Sequence, residues 1–218
     1  MDHRVLCELD LLMTRYPVLS GCREDVLSAY RLLADSFRAG GKLLVCGNGG
    51  SAADAEHIVG ELMKSFCKKR KPSDELKRAL LAVDGEYGAT LAEHLEGALP
   101  AIALDGHPAL SSAFQNDVLP TLTFAQQVNG YGCKGDVLLA ITTSGNSQNV
   151  LYAAVTAKAK GMTVIGLTGE GGGKLAPLCD TCIKAPERET YRVQEYHLPI
   201  YHTLCLMIEE TFFQSEAV

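Results

Sequence analysis

Residues 42–51 read Lys42-Leu43-Leu44-Val45-Cys46-Gly47-Asn48-Gly49-Gly50-Ser51, and they decide the fold. Four consecutive apolar side chains are too few for a buried helix and suit a strand covered on both faces, and the glycines after them make a tight turn. From Ser51 to about residue 66 apolar positions recur at helical spacing. The unit is strand, glycine turn, helix. Upstream, residues 4–16 and 24–39 repeat apolar positions at three and four, and Gly40-Gly41 ends the second helix. Downstream, short apolar runs recur at 101–104, 136–142, 163–167 and 181–184, mostly separated by helical stretches such as 147–160. Strands alternating with helices predict a parallel sheet covered on both faces, a three-layer, doubly wound α/β domain of five strands behind N-terminal helices in residues 1–40.

Two stretches are less regular. A last helical run spans about 190–213 with Pro199 inside it, which predicts a kink or a restart because the carbonyl of Glu195 loses its helical donor. Residues 67–99 begin with Lys68-Lys69-Arg70-Lys71, whose plainest reading is a solvated face, and Ser73 ahead of 74–83 predicts a capped short helix.

Composition excludes several classes of function. The chain has 218 residues, enough for one sizeable core, with 47% hydrophobic and 21% charged residues. No run approaches the ~18 apolar residues of a membrane span. A net charge of −6 lacks the basic footprint of a phosphate-gripping nucleic-acid binder, so no nucleic-acid partner is expected. The N-terminal residues have no basic region followed by an apolar run, so the expectation is a cytoplasmic protein whose eight cysteines are reduced. Cys179-Asp180-Thr181-Cys182 has CxxC spacing but no companion pair, and reads as ordinary thiols beside a strand.

Chemistry belongs beyond the carboxyl ends of the strands, where turns lead into helix N-termini. Cys46 to Ser51 is one such loop: its glycines admit an anion, and Ser51 is placed to cap the helix. Thr142-Thr143-Ser144-Gly145-Asn146-Ser147 is a second, with hydroxyls on four of six residues. Any βα turn can carry serine caps, but two such loops at neighbouring strand ends suit one oxyanion. Neither is a Walker loop, and Ala52 stands where a dinucleotide fingerprint needs its third glycine. A phosphorylated sugar fits better than a nucleotide. On the following helix His57 and Glu61 are four apart and share a face, spacing that suits a metal, acid–base work or a plain surface hydrogen bond. The final helix adds Gln194, Glu195, His197 and His202, and spacing alone does not choose between Gln194 and Glu195 as a partner for His202.

Residues 46–57, 143–147, 161–169 with Gly172-Gly173-Lys174, and Arg192-Val193-Gln194-Glu195-Tyr196-His197 together resemble the SIS (sugar isomerase) domain, closest to its phosphoheptose isomerase branch. The resemblance runs from the second helix nearly to the C-terminus and implies a flavodoxin-like sheet and a homotetramer with shared sites. It implies sugar-phosphate contacts from Asn48, Gly49, Gly50, Ser51, Thr142, Thr143, Ser144 and Ser147, with Asn116, Asp117, Glu61 and Gln194 also on the substrate. It implies zinc on His57, Glu61, Gln194 and His202, with Glu61 and His202 as catalytic base and acid for an aldose–ketose isomerisation of sedoheptulose 7-phosphate. Three departures bear on the substrate: Tyr191 in place of an aspartate, Lys64-Ser65 in place of a Gly-Arg pair, and the long 67–99 stretch. The alternatives are another sugar phosphate, or a non-catalytic SIS regulator that binds a sugar phosphate or a replication initiator; retention of Glu61 and His202 favours the enzyme.

Overall fold

The computed structural model describes residues 3–213. Its elements in chain order are α1 (His3–Arg15), α2 (Arg23–Arg38), β1 (Leu43–Cys46), α3 (Gly50–Met63), α4 (Asp74–Val83), α5 (Gly85–His94), β2 (Ala101–Ala103), α6 (Pro108–Asp117), α7 (Thr123–Tyr131), β3 (Val137–Ile141), α8 (Gln148–Ala159), β4 (Thr163–Gly169), β5 (Thr181–Ala185) and α9 (Thr190–Phe212). The five strands form one sheet in the order β2-β1-β3-β4-β5, and every neighbouring pair is parallel. This order is the flavodoxin-like one, and its topological switch point lies between β1 and β3.

Alternation along each strand divides the apolar interior into two cores. Leu43, Val45, Leu139, Ile141, Ile165 and Leu167 face one side, where Leu9 of α1, Leu33 of α2, Ile58 of α3 and Leu204 of α9 cover them. Leu44, Cys46, Leu138, Ala140 and Val164 face the other, under Phe124 and Val128 of α7 and Val150 and Ala154 of α8. Each strand is apolar on both faces because both are covered, which is why these runs read as continuous rather than alternating. At the foot of the sheet Asp136 joins the β1 and β3 entries, accepting from the backbone N–H groups of Lys42 and Cys133 and from Lys42 Nζ (2.6 Å).

Pro199 does not make the last helix restart. α9 runs through it as a single element, held on the core by Ile200, Tyr201, Leu204, Met207 and Ile208. The basic run corrects the reading of a solvated face. Arg70 is buried, and Lys68 Nζ lies 2.6 Å from Glu210 Oε2. Ser73 caps α4 as expected, its hydroxyl accepting from Leu76 N–H (3.1 Å). A second helix, α5, follows at once, capped by Asp84 Oδ1, which accepts from the N–H groups of Glu86 and Tyr87 (2.9 and 2.8 Å). No residue of α4 is buried and only Gly88 of α5 is, so the pair stands on the surface as a helical hairpin. The eight cysteines are free thiols. Among the described residues no helix is long and apolar enough to cross a membrane.

The exposed hairpin depends on its caps more than on packing. Asp84→Ala is expected to cost ~0.5–2 kcal/mol locally, and amide exchange should accelerate across residues 74–94 while β1 and β3 stay protected. Unchanged protection of the hairpin would show that the cap contributes nothing.

Candidate functional site

The two loops at the switch point are built to meet. β1 ends at Cys46 and leads into α3 on the α1–α2–α9 side, whereas β3 leads into α8 on the opposite face, so the chain leaves the sheet in two directions and opens a crevice. A reciprocal amide pair spans it: Asn48 Nδ2 donates to Asn149 Oδ1 (3.0 Å), and Asn149 Nδ2 donates to Asn48 Oδ1 (2.8 Å). Asn149 was not singled out in the sequence, where it is one polar residue in the first turn of a helix.

At α3 the turn takes positive φ at Gly49 (+56°), which a side chain would strain. The N–H groups of Ser51 and Ala52 close onto Asn48 O and Gly49 O (both 3.0 Å). Ser51 therefore does not cap: Gly49 holds the N-cap position without a side-chain bond, and Ser51 lies buried one residue inside the helix. The helix starts earlier than the serine suggests because the glycines close its first turn. Ser147 does sit at the N-cap of α8, but its hydroxyl pairs with Thr142 Oγ1 (2.9 Å) rather than with a backbone N–H. Ser144 Oγ accepts from Asn146 N–H (3.1 Å), and Thr143 O accepts from Gly169 N–H (2.9 Å) at the end of β4. A cavity of about 260 Å³ opens beside this loop, lined in part by Thr143, Ser144, Gly169 and Arg188.

α9 is aimed at the same crevice. The amide of Gln194 lies against Gly50 so closely that a β-carbon there would fall 2.5 Å from Gln194 Nε2, so glycine at 50 makes room for the glutamine. Gln194 therefore belongs to the first loop, a contact that separates it from Glu195. His197, one turn on, is fully buried against the sheet, and its Nε2–H donates to Thr168 O of β4 (3.2 Å).

The titratable cluster lies where α3 passes α9. His57 Nε2–H donates to Glu61 Oε1 (3.1 Å), and His57 Nδ1 lies 3.0 Å from the Tyr201 hydroxyl, which also hydrogen-bonds Asp54. The rings of His57 and His202 are 4.9 Å apart, edge to face, with Phe66 at 5.6 Å from His202. Lys64 Nζ donates to the second carboxylate oxygen, Glu61 Oε2 (3.1 Å). Glu61 is nearly buried and meets a cation on one oxygen and an imidazole on the other. Burial pushes the Tyr201 hydroxyl well above its ordinary pKa, helped by Asp54 beside it, so it stays a neutral donor. Burial also lowers His202, with His57 adding to the effect, so its imidazole is held toward the neutral form. A cavity of about 280 Å³ opens beside His202, between α1 and α9. Tyr201 and Asp54 were also missed: nothing in their spacing marks them among other helix positions.

The predicted zinc set fits in chemistry more than in present arrangement. Two imidazoles, a carboxylate and an amide oxygen are suitable donors, and His202 Nε2 is buried with no hydrogen-bond partner. Yet among the described residues no three His, Cys, Asp or Glu side chains are gathered as a metal-binding group, and the Gln194 amide lies at Gly50, the opposite end of α3 from Glu61. Asn116 and Asp117 stand apart, exposed at the C-terminal end of α6, where Asn116 Nδ2 donates to Asp117 Oδ1 (2.9 Å). Tyr191 is exposed in the first turn of α9, its hydroxyl accepting from Arg192 Nε (3.0 Å).

Known proteins with this arrangement agree on one family. The SIS domain model matches residues 18–97 and 81–169. The phosphoheptose isomerase of Rhodospirillum rubrum is 40% identical over 192 residues, 88% of this chain and 88% of that protein. That of Aneurinibacillus thermoaerophilus is 38% identical over 182 residues, 84% of this chain and 79% of its own. Among solved structures, a phosphoheptose isomerase from Francisella tularensis superposes with a TM-score of 0.74 at 32% identity, covering 90% of this chain and 91% of that one. The enzyme from Neisseria gonorrhoeae gives 0.70 at 31%, covering 95% and 92%. The chain belongs to the SIS domain family, on its phosphoheptose isomerase branch.

His197 makes stability depend on pH. Burial lowers its pKa from 6.5 to about 4. Between those values the unfolded chain takes up a proton that the folded one refuses, so stability is complete above pH 6.5 and declines as pH falls toward 4. Urea unfolding at stepped pH should show that decline, and His197→Gln should flatten it. An equal slope in the variant would remove His197 as its source.

Proposed function

We propose that this protein is an isomerase that interconverts sedoheptulose 7-phosphate and D-glycero-D-manno-heptose 7-phosphate. The observation that carries the reading is the placement of two kinds of chemistry at opposite ends of one helix: an anion cradle at the N-terminus of α3 and the His57–Glu61–His202 cluster near its C-terminus. Ten residues at 1.5 Å each put Ser51 and Glu61 about 15 Å apart along the axis. A substrate that uses both needs its phosphate and its carbonyl at far ends of a long chain, as a seven-carbon ketose 7-phosphate has.

The residues then take distinct roles. The glycine turn and the hydroxyls of Ser51, Thr142, Thr143, Ser144 and Ser147 receive the phosphate, aided by the positive end of the α3 dipole. Gln194, against the glycine turn, orients the sugar. Glu61 removes the proton from carbon 1 of the ketose, and the electron pair moves to give an enediolate. His202 protonates and deprotonates the oxygens as the carbonyl moves from carbon 2 to carbon 1, and the proton is returned to carbon 2. His57 and Lys64 hold the two oxygens of Glu61, and Tyr201 holds the ring of His57. Lys64, absent from the usual pattern, places a cation where the enediolate develops negative charge.

Zinc is the cofactor this reading adds: His57, Glu61 and His202 would hold it, whereas Gln194, packed against Gly50 at the start of α3, lies away from them in this arrangement. Once bound, it would polarise the carbonyl. The reading also places the protein in the cytoplasm as a homotetramer, in which the exposed Asn116–Asp117 pair of one subunit reaches the crevice of another.

Two experiments test the proposal. NMR of the protein with sedoheptulose 7-phosphate in D₂O should show the aldose carrying deuterium at carbon 2, and Glu61→Gln or His202→Asn should each lower turnover ~100-fold or more. Full rates in both variants would sink the acid–base assignment, and a faster reaction with another ketose phosphate would replace the substrate. Separately, isothermal titration should show zinc binding that weakens as pH drops through histidine protonation. Undiminished binding by the Glu61→Gln/His202→Asn double variant would refute the ligand set.

A further inference from the structure

The basic run at residues 68–71 conceals a buried side chain that contacts the end of the helix carrying Glu61. Arg70 and Glu209 have side chains 0% and 1% exposed, and Arg70 Nε donates to Glu209 Oε1 (2.8 Å). The other two guanidinium nitrogens point at the C-terminal turn of α3. Nη2 donates to the carbonyl of Glu61 and Nη1 to that of Leu62, both at 2.9 Å. These are among the last four carbonyls of the helix, which have no intrahelical donor; that of Leu62 also accepts from Leu99 N–H (3.0 Å), whereas that of Glu61 is met by the guanidinium. A cation there also complements the negative end of the helix dipole.

Glu209 secures the approach. It accepts from the backbone N–H groups of Phe66 (3.1 Å), Cys67 (2.9 Å) and Lys68 (3.1 Å), so the turn that returns Arg70 to α3 is wrapped around one carboxylate. Glu209 lies on α9, seven residues beyond His202 and close to the same face of the helix. Glu209 and Arg70 therefore tie the helix bearing the base to the helix bearing the acid.

We infer that Arg70, anchored by Glu209, is the positioning residue for Glu61 and sets its distance from His202, an inference that rests on the proton-transfer roles proposed above. The competing view is a buried ion pair that serves stability alone. The targets of the guanidinium argue against it: of its hydrogen bonds to Glu209, Leu62 and Glu61, two go to backbone oxygens at the end of α3, beside its stacking on the Phe213 ring. A planar fork of five donors reaches two carbonyls and a carboxylate at once, whereas the single ammonium of lysine does not reproduce those directions.

The test compares Arg70→Lys and Arg70→Gln, alone and combined with Glu61→Gln, at a temperature where melting curves show each protein folded. Arg70→Lys keeps a charge for Glu209, so it supplies the comparison if the glutamine variant does not fold. A displaced reacting group should lower kcat about 10-fold or more, with KM within about 2-fold because the phosphate cradle is untouched. In the Glu61→Gln background the same change should have little further effect. Folded Arg70→Lys with the wild-type kcat, or a full further loss in that background, overturns the inference. If the wild-type protein turns over no sedoheptulose 7-phosphate, the functional reading fails by itself. The positioning is then decided by amide exchange over residues 61–66, expected to be at least about 10-fold faster in Arg70→Lys with β1 unchanged; equal exchange overturns it.

Discussion

Everything at the site depends on one topological constraint, the divergence of the chain above β1 and β3. These strands are neighbours, yet α3 leaves to one face of the sheet and α8 to the other. Two helix N-termini consequently flank a gap that main-chain hydrogen bonds do not fill, and their dipoles both favour an anion there. The Asn48–Asn149 pair bridges that gap with two hydrogen bonds that require no charge. An amide pair suits the position because a carboxylate would repel a phosphate, and a lysine or arginine would occupy its place. The cradle is thus held by neutral groups, which suits the anion of the proposed function.

Electrostatics change along α3. At its start the surroundings are hydroxyls, amides and glycine, whereas at its end a nearly buried carboxylate sits between His57 and Lys64. In the proposed function, binding and proton transfer are therefore separated by about three turns of helix, and the rigidity of α3 sets their spacing. That rigidity comes from Ala55, Ile58 and Leu62, which anchor the opposite face of the helix in the core. Core and site share a helix, so packing defects beneath Ile58 reach both functions.

Much of this was legible in the sequence because it rests on local rules. Five short apolar runs, glycine turns after two of them and helical periodicity between them gave the parallel sheet, and the position of the loops followed from the fold. What escaped were contacts between residues distant in sequence. Asn149 meets Asn48 across 101 residues, and Tyr201 meets His57 across 144, so neither has a local signature. Arg70 was hidden differently: four adjacent basic residues look alike in a string, and only the fold shows that one of them meets a buried carboxylate 139 positions away. The N-cap of α3 lies two residues before the expected one, at Gly49 rather than Ser51, because glycines close the turn. The α5 helix was missed because its apolar side chains are not buried, which leaves periodicity without a core to explain it.

The constraint on α3 has its counterpart in α9. Gln194, His197 and Tyr201 follow at spacings of three and four, so one stripe of the helix touches the glycine turn, the strand β4 and the ring of His57 in succession. His202 and Glu209, seven apart, form a second stripe turned by one residue, directed at the His57–Glu61 cluster and at the turn behind it. Pro199 sits between these contacts without dividing the helix. A helix that restarted at Pro199 would rotate His202 and Glu209 relative to Gln194, and His202 would lose its register with the glycine turn. The continuity of α9 through a residue that ordinarily breaks helices is therefore part of the site: the core side chains on either side of Pro199 stabilise it, and the alignment of binding with chemistry depends on it.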